Sequence, residues 1–329
     1  MQKSYKVNLN DIFVSTVTEN LIKSCNDFSN KFNKRIIFIS SLNQVSLYEN
    51  SYLYNDISFL KNKISNFKNK KLFIGRDHFG KSSVKNLRIK NKNLFLVENL
   101  INDLENDLDF IHLDFADDNN YKKNIEKYMN IILSSKKNVT IEIGLNKDGE
   151  KSKFETLNEL ARLSNIYFKK DKIITFQTGA KLFNNSNNRK INYENIKKNS
   201  SLFKNFYFKE HNCDFKLKNH FKRLNKLNFL FNIGPEFAYY ENKFFCKMIE
   251  KKLDKSDYQK LYDTVLDKKL WNKWCSKYNN NKEKIYSSLH YFQKNKIYKN
   301  LKEKLEKKIS FNEIIFNKNI KLMKSKFIF

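Results

Sequence analysis

Eight short apolar runs, each followed by a segment of helical period, constrain this 329-residue chain more than anything else in it. The runs are Ile12–Val17, Arg35–Ser41, Lys71–Arg76, Phe110–Phe115, Val139–Gly144, Ile173–Thr178, Phe206–Lys209 and Phe229–Ile233. Between and after them lie amphipathic segments at Thr18–Phe32, Asp56–Asn69, Asn93–Leu108, Asn120–Ser135, Lys153–Tyr167, Tyr193–Phe203, Leu217–Leu227 and Glu236–Leu253. A continuous apolar run of strand length suits a parallel strand covered on both faces. Eight strand–helix units in order therefore predict an α/β fold, a (β/α)8 TIM barrel over residues 10–253. The first run is the least distinctive, since IFVSTV could also open the first helix. Beyond it, residues 254–329 lose the strand pattern and predict a C-terminal helical extension packed beside the barrel.

A parallel barrel presents the C-terminal ends of its strands at one mouth, where active sites are built. The scarce turn-forming residues gather at that end. Gly75, Gly80, Gly144, Gly179 and Gly234 fall at or just past the predicted strand ends, and Gly149 lies in the loop after the fifth. The single proline, Pro235, follows Gly234, and Asn184–Arg189 reads as a loop at the mouth.

The formal charge of +29 raises the question of a polyanionic partner. Of 64 basic residues only six are arginine, at positions 35, 76, 88, 162, 189 and 223, and 58 are lysine. Base readers and phosphate clamps favour the guanidinium fork, so a solvated lysine surface is the expected reading and nucleic acid is not an expected partner. Lys251 to Phe329 carries 21 lysines against eight acids, which keeps polyanion binding as a secondary alternative. The cysteines, Cys25, Cys213, Cys246 and Cys275, form no CxxC pair. With no signal-peptide core and no run of transmembrane length, a reduced, soluble, cytoplasmic protein is expected, with no membrane partner.

Three of the five histidines adjoin apolar runs. Asp77-His78 ends the third run, and such a pair can place an imidazole on a metal beside a carboxylate that handles a proton. His112 and Asp114 share one side of the fourth strand by period-two spacing. If that side faces the interior they are ligand or proton-transfer candidates; if it faces the helices, His112 is a core residue. Glu142 on the fifth strand is either a third functional carboxylate or a buried structural acid. Glu210, His211 and Asp214 form a second cluster, from which His211 could complete a His/carboxylate site with His78 for a divalent metal such as zinc. Cys213 has nothing nearby to lower its thiol pKa and is not expected to be a nucleophile. His220 and His290 lie in predicted helices and read as surface or packing residues. No P-loop, GxGxxG or HExxH occurs, so nucleotide chemistry has no motif to support it.

The blocks Leu42-Asn43-Gln44-Val45, Ile74 to Gly80 (IGRDHFG), Ile111-His112-Leu113-Asp114, Ile143-Gly144, Gln177-Thr178-Gly179, His211 to Phe215 (HNCDF) and Ile233-Gly234-Pro235 stand in a distinctive order. Together they resemble the class II D-tagatose-1,6-bisphosphate aldolase accessory ("non-catalytic") subunit family, sometimes named tagatose-6-phosphate kinases. The similarity runs from about Asn10 to Leu253, with a weaker echo in the tail. It implies a metal-dependent, aldolase-like barrel of carbohydrate metabolism acting on a ketose or ketose phosphate by aldol cleavage or C4 epimerisation. It equally accommodates a catalytically inactive subunit that stabilises a catalytic class II aldolase, and self-association as a homo-oligomer is compatible with both. Carried onto this chain, the resemblance makes Asp77 the acid/base, with Asp114 and Glu142 as further catalytic or orienting carboxylates. His78 and His211 become ligands of a divalent metal, with zinc the first expectation. Asn43, Gln44, Arg76, Gln177 and Asp214 fall on the substrate side.

Departures accompany the likeness. Where the family has Gly-Thr-Glu after the fifth strand this chain has Gly144-Leu145-Asn146, and Lys181 replaces a glutamate. A family glycine falls at Arg76, and the Glu-x-His block reads Lys209-Glu210-His211. The tail arginines before two tyrosines are replaced by Ser287-Ser288-Leu289-His290 before Tyr291-Phe292, which removes expected anion clamps.

Overall fold

A computed structural model describes residues 5–9, 11–49, 51–85, 87–116, 118–145, 150–168, 171–178 and 191–328. Gly149, Gly179, Lys181, Asn146 and the Asn184–Arg189 segment lie outside them. Eight strands close in sequence order into a parallel barrel: β1 (Asp11–Ser15), β2 (Arg35–Ser40), β3 (Leu72–Phe79), β4 (Phe110–Asp114), β5 (Thr140–Gly144), β6 (Ile173–Thr175), β7 (Tyr207–Glu210) and β8 (Phe229–Ile233). The circle closes where Ile12, Phe13 and Val14 pair with Phe231, Asn232 and Ile233.

The helices alternate with the strands as α1 (Glu19–Phe32), α2 (Ile57–Ser65), α3 (Lys92–Glu105), α4 (Tyr121–Ser134), α5 (Phe154–Tyr167), α6 (Tyr193–Ser201), α7 (Lys218–Asn225) and α8 (Pro235–Lys252). The first shows why the sequence folds this way. Thr18 accepts the Leu21 N–H at 3.2 Å as N-cap. Leu21, Ile22, Cys25 and Phe28 recur at helical spacing and are buried, and Asn33 ends the helix in the left-handed region.

Strand alternation divides the core in two. Ile12, Val14, Ile36, Phe38, Ile111, Leu113, Ile141, Ile143, Phe229 and Phe231 point outward into the main core beneath the helices. Phe13, Ile37, Ile39, Phe110, Ile173 and Leu230 point inward, with Tyr5, Phe73 and Tyr207, and fill the lower barrel. By the same parity His112, Asp114, Glu142, Thr175 and Lys209 face the interior.

After the barrel come α9 (Lys255–Asp267), α10 (Asn281–Ser288), α11 (Lys296–Ile309) and α12 (Phe311–Phe327). The first three, with Leu289 just after α10 and Phe311 and Ile315 at the start of α12, build a separate apolar core with α8 around Phe245, Ile249, Leu261, Leu301 and Leu305. The last returns to the barrel wall, where Met323 and Phe327 join the main core and Asn319 donates to Glu241 at 2.7 Å. No helix among the described residues is long and apolar enough to cross a membrane.

Among the strands, two ends lie three residues from the sequence expectation. β6 stops at Thr175, three residues short of the expected end. β3 runs three residues further than expected, through Asp77 and His78 to Phe79. Gly75 therefore sits inside the strand, where an added Cβ would lie 2.8 Å from the Phe110 carbonyl oxygen. Gly80 does mark the strand end, and a Cβ there would come within 1.9 Å of the Asp114 carbonyl oxygen. Relief requires moving backbone. Gly80→Ala is accordingly expected to lower stability by about 1–3 kcal/mol, read as a lower urea midpoint at unchanged m-value; an unchanged midpoint contradicts the tight β3–β4 approach.

Candidate metal centre

In a regular strand consecutive residues face opposite sides, so Asp77 and His78 should not both reach the barrel mouth. A bulge in β3 allows it. Gly75 and Arg76 pair with Phe110 and Ile111, but the next partner of β4, Leu113, is Phe79, so β3 carries one extra residue. His78 takes up the irregularity with φ of 49°. Its backbone N–H donates to His112 Nδ1 at 3.3 Å, and its Nδ1 lies 2.7 Å from Asp114 Oδ2.

Three imidazoles converge as a result. The ring centroids are 5.0 Å apart for His78 and His112, 4.9 Å for His78 and His211, and 4.5 Å for His112 and His211. Each ring has one nitrogen held from behind. His78 Nδ1 is held by Asp114, His211 Nε2 stands 2.8 Å from Glu142 Oε1, and His112 Nε2 stands 3.3 Å from Thr175 Oγ1. The opposite nitrogens face Asp77: His78 Nε2 at 3.6 Å, His112 Nδ1 at 3.3 Å and His211 Nδ1 at 3.9 Å. His211 Nδ1 is buried without a hydrogen-bond partner, as suits a nitrogen whose lone pair is kept for a cation.

The ligand atoms of Asp77, His78, His112 and His211 all lie within 4.8 Å of one another. Zinc–nitrogen bonds of about 2.0–2.1 Å in a tetrahedron set donors about 3.3 Å apart, so a small inward movement closes the shell. A carboxylate or hydroxyl behind each imidazole fixes its tautomer and orientation, the usual arrangement around metal-bound histidine. The donor set fits a divalent metal of the zinc type.

Beneath this group lies a residue that the sequence reading passed over. Lys209 is fully buried on β7, its ammonium 5.0 Å from the ring centres of Phe13 and Phe110. It donates to Glu142 Oε2 at 2.7 Å and stands 3.6 Å from Asp77 Oδ1. The signal in the sequence is parity: Tyr207, Lys209 and His211 share the inward face of FYFKEH, although the acid and histidine beside Lys209 are the more conspicuous residues.

The charges set one another. Burial would raise the Asp77 carboxyl, but His78 and Lys209 outweigh it and hold it well below the usual range. Burial likewise opposes ionisation of Glu142, and His112, Lys209 and His211 pull it down. His78 is lowered by burial yet raised more by Asp77 and Asp114, to about 9, while burial and Lys209 push His211 down to about 4.

The other expected site residues divide. Arg76 is not on the substrate surface. Its parity turns it outward, where Nε and Nη2 bind Asp103 at 2.7 and 2.6 Å and Nη1 reaches the Ser40 and Val45 carbonyls. Asp214 is also withdrawn, accepting the backbone N–H groups of Gly234 and Glu236 at 2.9 and 2.7 Å at the start of α8. Glu210 and His211 are not one cluster, since they face opposite sides of β7; Glu210 meets His220 at 3.2 Å. His220 and His290 are both buried rather than superficial. Gln44 ties the loop after β2 by accepting from Ser41 N and donating to the Thr16 carbonyl, and Asn43 beside it is exposed. Gln177 is buried, with its Oε1 3.5 Å from Asn212 Nδ2. Burial raises the Cys213 thiol well above its ordinary value.

Removing Lys209 leaves Glu142 as a buried, poorly compensated charge. Lys209→Met is expected to cost about 3–5 kcal/mol, and adding Glu142→Gln to recover part of that loss. Chemical denaturation of both single variants and the double variant measures the coupling; strictly additive losses contradict the ion pair's role.

No family model matches the chain, and no curated protein does. Among solved structures it is similar to a probable tagatose 6 phosphate kinase from Sinorhizobium meliloti 1021, with TM-score 0.74 at 12% identity over 95% of this chain and 92% of that one. It is also similar to the fructuronate-tagaturonate epimerase UxaE from Cohnella laeviribosi, with TM-score 0.65 at 9% identity over 96% and 81%. The YdjI aldolase from Escherichia coli K12 aligns with TM-score 0.52 at 9% identity over 91% of both chains. At these identities the likeness establishes the fold.

Proposed function

We propose that this chain is a metal-dependent enzyme of carbohydrate metabolism acting on a ketose or ketose phosphate by aldol cleavage or C4 epimerisation. The observation that carries the reading is the convergence of His78, His112 and His211 on Asp77, each imidazole braced from behind. The names of the similar structures, a tagatose phosphate kinase, an epimerase and an aldolase, support the substrate class.

In this reading His78 Nε2, His112 Nδ1 and His211 Nδ1 would hold the cation, with His112 Nδ1 giving up the His78 backbone N–H to do so. A bound divalent metal supplies Lewis-acid polarisation of the substrate's carbonyl and hydroxyl oxygens. Asp77, ionised by its cationic surroundings, takes the proton from the C4 hydroxyl and returns it to C3 after cleavage, or to the C4 oxygen after re-closure. Asp114 and Glu142 orient His78 and His211, and Lys209 keeps the two inner carboxylates charged and apart from solvent. The same proton abstraction serves both reactions. Breaking the C3–C4 bond gives aldol cleavage, and re-closing it on the other face gives epimerisation.

A second reading, a subunit that stabilises a partner aldolase, is favoured by the burial of Arg76 against Asp103, which removes a candidate phosphate clamp from the mouth. It predicts metal binding without turnover and a gain in the partner's stability on mixing.

Purified protein is expected to contain one divalent ion at this centre. His78→Ala and His211→Ala should lose it, while Asp77→Asn should keep metal and lose about 10²–10⁴-fold in turnover. Elemental analysis and a panel of free and phosphorylated ketoses test this. Wild-type protein that binds no divalent metal, or histidine variants with unchanged metal and turnover, would sink the reading.

A further inference from the structure

A second group of metal-type ligands lies on the other side of β7, outside the barrel interior. Glu210 ends the strand, Cys213 follows in the connection, and His220 sits on α7. All three are buried, and a carboxylate oxygen, the thiol sulfur and a ring nitrogen lie within 4.8 Å of one another. We propose that Glu210, Cys213 and His220 form a structural site for a zinc-type divalent cation that ties the end of β7 to α7.

Three observations support it. Glu210 Oε2 and His220 Nε2 are buried without a hydrogen-bond partner, although they stand 3.2 Å apart. Their remaining atoms are already engaged: Thr178 donates its hydroxyl proton to Glu210 Oε1, and the Tyr193 hydroxyl lies 3.0 Å from His220 Nδ1. This is the outer bracing that orients a ligating carboxylate and imidazole. The donor set is also balanced, since one thiolate and one carboxylate offset a dication while a neutral imidazole adds none. A buried carboxylate would thereby gain a full partner. On binding, the Cys213 thiol releases its proton to solvent and its sulfur forms the metal bond. Three protein ligands leave a fourth position for water.

The consequence reaches the mouth. Residues 211–217 connect β7 to α7 and begin with His211, whose ring faces inward as Glu210 faces outward. An ion clamping both ends of that connection fixes the backbone that aims His211. The inference does not rest on the catalytic reading, because its own ligands and readout are separate.

Cobalt(II) separates the two centres, because only the outer one contains sulfur. Chelator-stripped full-length protein titrated with cobalt(II) should develop near-ultraviolet thiolate-to-cobalt charge-transfer absorption that saturates by two equivalents, with the intensity of one thiolate ligand per chain. Cys213→Ser should abolish that band, whereas His78→Ala should retain it while losing the ion at the mouth. His220→Gln keeps the thiol and should weaken the cobalt dependence of the band about tenfold or more. It also provides the test if Cys213→Ser does not fold. Absence of the band from wild-type protein, its survival in Cys213→Ser, or an unchanged titration in His220→Gln would each overturn the proposal.

Discussion

The ion pair between Lys209 and Glu142 is the interaction on which the barrel mouth depends. An ammonium enclosed by Phe13 and Phe110 has no water to solvate it, so its charge must be met by protein. Glu142 meets it at 2.7 Å and, through its other oxygen, receives the Thr175 hydroxyl and His211. One carboxylate thus fixes the floor of the site and the direction of two of its walls. A well-packed apolar substitute would serve stability at least as well. A buried lysine here makes better sense as an electrostatic device that keeps Asp77 and Glu142 ionised beneath three histidines.

The bulge in β3 is the second constraint. Left-handed backbone at a histidine costs of order 1–3 kcal/mol and persists only where surroundings hold it. His78 is held at both ends, by its N–H to His112 and its ring to Asp114. The irregularity brings Asp77 and His78 to the same cavity, which no regular strand can do.

Much of the fold could be read from the sequence because its signal is local. β8 spans the expected residues, α1 differs by one residue at its start, and the eight-unit order is that of the barrel. The site was legible only in part. Asp77, His78, Asp114, Glu142 and His211 meet at the mouth, and the two-way reading of His112 resolves inward because Ile111 and Leu113 occupy the outer core. Neighbours in sequence are not neighbours in space here: alternation sends Glu210 to the helices and Arg76 outward to Asp103, and a helix start claims Asp214. Lys209 was missed because a lysine among 58 carries no compositional signal. Its importance appears only when strand parity is combined with a closed barrel that denies it solvent.

The central question is whether His78, His112 and His211 share one ion. Crystals of zinc-loaded protein, measured on both sides of the zinc absorption edge, locate it directly. An anomalous peak is expected about 2.0–2.1 Å from His78 Nε2, His112 Nδ1 and His211 Nδ1. An ordered mouth with no peak among the three rings, under conditions where zinc is bound elsewhere in the chain, would contradict it.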